Sequence, residues 1–112
     1  MPKEEFDFDK YSLPRIIGIF GGTFDPVHNG HSLTITHLLR KVPFKKILVV
    51  PNHIPPHRKN SLASFNHRYN MVCLAFQDLK NTEIDARENL RGGPSYLIHT
   101  VKEVIVEEPD AK

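Results

Sequence analysis

The chain has one cysteine, no tryptophan, and no acidic residue between Asp25 and Asp78. A single thiol, Cys73, cannot close an intrachain disulfide. It stands within an apolar helical pattern, so it reads as a buried free thiol in a reducing compartment and not as a nucleophile. No apolar run approaches the ~20 residues that a membrane-spanning helix needs. The first twelve residues are polar, with Glu4, Glu5, Asp7 and Asp9, and lack the basic and apolar regions of a secretory signal. A cytoplasmic protein with no membrane partner is expected.

The missing acids leave a basic tract, because Arg40, Lys41, Lys45, Lys46, Arg58, Lys59 and Arg68 all fall in the gap while the formal net charge is only +2. Such a tract can be a solvated face, a nucleic-acid patch or a funnel toward a small anion. No nucleic-acid-binding signature and no regular aromatic interleaving accompany it, so nucleic acid is not an expected partner. With 112 residues, 39% hydrophobic and 25% charged, the chain suits one small domain. Residues 1–14 read as a flexible tail and 15–112 as the domain.

Within that domain, strand and helix periods alternate. Arg15 to Phe20 is a short apolar run. Ile35, Leu38, Leu39 and Val42 then recur at helical spacing in a helix from about Gly30 to Arg40. Lys46 to Val50 is a β-branched strand between Pro43 and Pro51. The prolines of Pro51 to Lys59 forbid a helix and predict a stiff loop presenting His53, His57, Arg58 and Lys59. Asn66 to Leu79 is a second helix with a core stripe of Tyr69, Val72, Cys73 and Phe76. His67 and Arg68 in its first turn read as exposed, with Arg68 the better candidate for an anion. Thr82 to Ala86 is a third strand, Arg87 to Gly93 a loop, and Ser95 the cap of a third helix that ends before Pro109. The buried face of that helix should comprise Leu97, Ile98, Val101, Val104 and Ile105. This βαβαβα order predicts an α/β fold with a parallel sheet, whose ligand site lies beyond the carboxyl ends of the strands.

The chemistry gathers at the first such end, in Gly18-Ile19-Phe20-Gly21-Gly22-Thr23-Phe24-Asp25-Pro26-Val27-His28-Asn29-Gly30-His31. Gly21 and Gly22 let backbone N–H groups approach a ligand, and a helix opening near Gly30 adds unpaired N–H groups and the positive end of its dipole. His28 and His31 can face one small volume beside this turn, which suits a polyphosphate. The competing reading makes one a helix cap and the other a turn residue. A zinc site from His28, His31, His53 and His57 is conceivable from converging loops, but no cysteine or acid joins them, and no metal site is expected. Gly21 to His31, Asn52 to Lys59 and Arg91 to Tyr96 each follow a strand and should converge on one edge of the sheet.

The string G-G-T-F-D-P-V-H-N-G-H resembles the HxGH nucleotidyltransferase superfamily, most closely its bacterial nicotinate mononucleotide adenylyltransferases. P-N-H-I-P-P-H-R and G-P-S-Y-L-I-H-T are similar to two further segments of that group, so the likeness covers roughly Ile16 to Val104. It implies a Rossmann-like three-layer αβα domain, of which this chain would carry the βαβαβα half. The group's later strands, nicotinate-stacking aromatic and I-S-S-T-x-x-R motif do not occur before Lys112. The implied activity joins nicotinate mononucleotide to ATP, giving the deamido dinucleotide and pyrophosphate, with Mg²⁺ carried by ATP. By the same likeness, His28 and His31 are catalytic at the ATP phosphates, and Gly21, Gly22, Thr23, Phe24 and Gly30 bind nucleotide phosphates. Pro56, His57, Arg58, Ser95, Tyr96 and Leu97 would bind the mononucleotide. Leu97 and His99 stand where the group has threonine and aspartate, and Ser32 replaces an apolar residue. Other outcomes of the likeness are a noncatalytic nucleotide-binding remnant and a transferase for another phosphorylated substrate. Three strands leave the first with an open edge along Ile16, Ile17 and Ile19, which implies self-association.

Overall fold

The computed structural model describes residues 15–53, 63–93 and 96–112. The expectations for residues 1–14, for Pro56, His57, Arg58 and Lys59, and for Ser95 lie outside them. The elements run β1 (Ile16–Gly22), α1 (Asn29–Lys41), β2 (Phe44–Pro51), α2 (Phe65–Phe76), β3 (Thr82–Ile84), α3 (Arg87–Arg91) and α4 (Leu97–Glu107). The strands form one parallel sheet in the order β1-β2-β3. β2 is central and buried from Ile47 to Pro51, as its unbroken apolar sequence requires of a strand covered on both faces.

Alternation along β2 divides the interior in two. Ile47 and Val49 join Phe24, Ile35, Val72 and Phe76 in a cluster beneath α1 and α2. Leu48 and Val50 face the other way and meet Val104 of α4, with Ile17 and Ile19 of β1 beside them. The helices thus flank the sheet on both sides, the Rossmann-like layering that the family resemblance implies.

Four expectations need correction. The stretch from Arg87 is not all loop: α3 forms there, and Asp85 accepts hydrogen bonds from the Arg87 backbone and guanidinium. The cap position of α4 is Tyr96, whose side chain makes no cap bond. The buried residues of α4 are Thr100 and Val104, while Leu97, Ile98 and Ile105 are 54%, 55% and 61% exposed. Among the described residues, only β1 and β2 supply apolar groups to the cluster on that side, too narrow a surface to cover the whole stripe. Cys73 is half-buried, not buried.

The open edge of β1 is also partly closed. Arg15 bridges Ala111 in parallel, the Lys112 N–H donates to the Arg15 carbonyl at 2.7 Å, and the Ile17 N–H donates to the Lys112 carbonyl at 2.9 Å. From Gly18 to Gly22, β1 has only β2 as a strand neighbour among the described residues.

Candidate functional site

The parallel register brings Gly21 opposite Val50 and Gly22 opposite Pro51, so β1 and β2 end together. The Asn52 N–H donates to the Gly22 carbonyl at 2.8 Å and extends the pairing one step beyond the sheet. Leu97 leans in from the start of α4. A cleft of about 250 Å³ lies among Gly21, Gly22, Asn52 and Leu97. The first two stretches singled out in the sequence therefore meet at one sheet edge, and Leu97, the residue after the third, joins them there.

Beside this cleft, His28 and His31 make a reciprocal cap on α1. The Gly30 N–H donates to His28 Nδ1 at 3.1 Å, and the His28 N–H donates to His31 Nδ1 at 3.0 Å. The two rings stack with centroids 3.9 Å apart and planes 27° from parallel. Each Nδ1 that accepts a backbone N–H carries no proton, so in the neutral rings the proton resides on Nε2. The cap reading and the ligand reading of these histidines are therefore compatible. One nitrogen of each ring holds the helix start, and the other is left to donate outward.

Burial, reinforced by the charge of His28, pushes His31 below the ordinary imidazole range. Its ring stands edge-on to Phe24 at 5.0 Å and to Phe20 at 6.2 Å. The Phe24 side chain, 3% exposed at a φ of 52°, belongs to the core and acts as a floor for His31. Of Phe24, only the backbone remains for direct phosphate contact. Gly30 is required by the cap itself, since a Cβ there would meet His28 Cε1 at 2.9 Å. A Cβ at Gly22 would press on the Phe24 ring at 3.1 Å. Tyr96 is exposed and packs edge-on to His99 at 5.7 Å.

Arg68 departs most from the sequence expectation. It is 1% exposed, and its guanidinium is spent on backbone carbonyls, not offered to an anion. Nε donates to Ala63 at 3.0 Å, Nη1 to Thr23 at 3.0 Å and to Asn52 at 2.6 Å, and Nη2 to His53 at 3.1 Å. The signal was present in the spacing: Arg68, Val72 and Phe76 recur every four residues, and all three are buried on one helix face. Among the described residues, no group of three or more His, Cys, Asp and Glu is placed to hold a metal ion, and His57 lies outside them. No helix among the described residues is long and apolar enough to cross a membrane.

A cytidylyltransferase-like family model matches residues 19–109. The chain is similar to a probable nicotinate-nucleotide adenylyltransferase of Listeria monocytogenes, 42% identical over 95 residues that cover 84% of this chain and 50% of that protein. A counterpart from Bacillus licheniformis is 44% identical over 97 residues, covering 86% of this chain and 51% of its own length. The chain thus spans about half the length of the curated relatives it matches. Among solved structures, Plasmodium falciparum nicotinic acid mononucleotide adenylyltransferase complexed with NaAD superposes with a TM-score of 0.70 at 20% identity. That match covers 88% of this chain and 49% of the other.

Proposed function

The chain belongs to the cytidylyltransferase-like family of nucleotidyltransferases, and on that premise we propose that it serves adenylyl transfer from ATP to nicotinate mononucleotide, yielding deamido-NAD and pyrophosphate. The observation that carries this reading is the stacked histidine pair that follows the glycine turn, whose Nδ1 atoms are held by the helix cap so that Nε2–H remains to donate. The phosphate of nicotinate mononucleotide is already an anion and needs no general base. Its oxygen forms a bond to the α-phosphorus of ATP, the bond from that phosphorus to the bridging oxygen breaks, and pyrophosphate leaves with the electron pair as its Mg²⁺ complex. Catalysis then consists of alignment and of neutralising charge that grows on the α-phosphate and the leaving group. His28 and His31 supply fixed donors for that charge, and the backbone N–H of Gly21, which alternation along β1 turns away from β2, supplies another. Leu97, beside the cleft, would meet the mononucleotide with an apolar surface.

His31→Ala tests the reading by steady-state kinetics with pyrophosphate detection. Loss of one preorganised donor should lower kcat by about 10²-fold or more while ATP affinity falls much less. Unchanged kcat removes His31 from the mechanism. Because the chain spans about half of its relatives, nucleotide binding without transfer is the second reading. It predicts ATP binding in calorimetry with no pyrophosphate released.

A further inference from the structure

Arg68 joins three segments that are remote in sequence: the end of the glycine turn at Thr23, the start of the second loop at Asn52 and His53, and the approach to α2 at Ala63. Its ring neighbour Phe65, 5.5 Å from the guanidinium carbon, covers one face of the fork. The chain carries a cation to a nearly solvent-free position and gives it carbonyl oxygens from both sides of the candidate site. Lysine could not do the same, because a point charge with three donors cannot reach four carbonyls spread around a plane. A second tie across this seam is the hydrogen bond from Asn52 N–H to the Gly22 carbonyl.

We infer that Arg68 is a positioning residue that fixes the glycine turn against the Asn52–His53 loop, so that groups bound on the two loops meet in one geometry. The functional half of this inference rests on the adenylyl-transfer reading, and the geometric half does not. Transfer between two bound nucleotides depends steeply on alignment: a displacement of about 1 Å can lower the rate roughly 10²-fold. Releasing the clamp should therefore lower kcat with little change in the affinity for either nucleotide alone.

The test compares Arg68→Ala and Arg68→Lys with Val72→Ala, which removes buried volume one turn further along α2 and leaves the clamp intact. Amide exchange at Asn52, kcat, and the separate affinities for ATP and nicotinate mononucleotide are measured for each. The expected result is at least tenfold faster exchange at Asn52 and about 10²-fold lower kcat in both Arg68 variants. Millimolar guanidinium should restore part of each in Arg68→Ala, and Val72→Ala should lose stability but neither property. If Arg68→Ala does not fold, Arg68→Lys carries the same comparison. Arg68 variants that match Val72→Ala at Asn52 overturn the inference. A wild-type chain that neither binds nor turns over nucleotide overturns the transfer reading instead, and the Asn52 exchange still decides the clamp.

Discussion

The two faces of the sheet are built differently. Under α1 and α2, six residues from β2, both helices and the glycine turn are nearly inaccessible: Phe24, Ile35, Ile47, Val49, Val72 and Phe76. Under α4 the apolar residues that reach that state, among those described, are Leu48, Val50 and Val104. Charge compensates on this side. Arg87 binds Asp85 and Glu107, Arg91 binds Thr100 and Glu103, and Lys45 and Lys46 reach Glu108. One face is held by close packing and the other by polar groups around a thin apolar seam, so the two should respond to different perturbations.

The largest effect should come from the packed face. Ile35→Ala, at a site with no exposure, should cost about 2–5 kcal/mol in urea unfolding, whereas Ile105→Ala on the exposed side of α4 should stay within roughly 0.5 kcal/mol. Equal losses would break the contrast.

Next come the ionic contacts. Burial raises the Asp85 carboxyl, but the side-chain and backbone hydrogen bonds of Arg87, with the charges of Arg87 and Lys46, outweigh it and hold Asp85 below its ordinary range. Its contribution is therefore complete above the unfolded pKa of about 3.8 and is lost as pH falls through the lower folded value. Asp85→Asn should cost about 1–3 kcal/mol at pH 7 and flatten the stability profile below pH 4. An unaltered acid limb would show that α4 does not depend on this contact.

The smallest effect belongs to the cap on the packed side. His31 is shifted below 6.5 in the folded chain, so as pH falls the unfolded chain binds its proton first. The cap's contribution is complete above pH 6.5 and declines below it. Stability measured from pH 8 to 5 should fall by about 1 kcal/mol from this source. His31→Gln, which can accept the same backbone N–H without titrating, should remove that slope. If His31→Gln keeps the slope, the titrating group lies elsewhere.

This contrast also explains what could be read from the sequence. β2 and the start of α1 were legible because an apolar run between prolines and a glycine turn before a helical period are local signals. The same periodicity misled in α4. Its stripe predicted burial for Leu97, Ile98 and Ile105, yet coverage depends on how many strands lie opposite, which no local period records. Arg68 shows a related limit. Four carbonyls from three segments make burial of a guanidinium tolerable, and that arrangement exists only after the loops have come together. The histidine pair was visible as a motif, but its division of labour between Nδ1 and Nε2 required the cap geometry.

The bridge from Arg15 to Ala111 bears on the order in which the molecule assembles. It ties together the two ends of the described chain, so it closes a far longer loop than any contact within a strand-helix-strand unit. Loop-closure entropy makes such a seam unfavourable until the intervening sheet exists. It should therefore form last during folding. The same ordering makes it the first place to open in the native protein, releasing the N–H groups of Ile17 and Lys112 to solvent while β2 remains sealed.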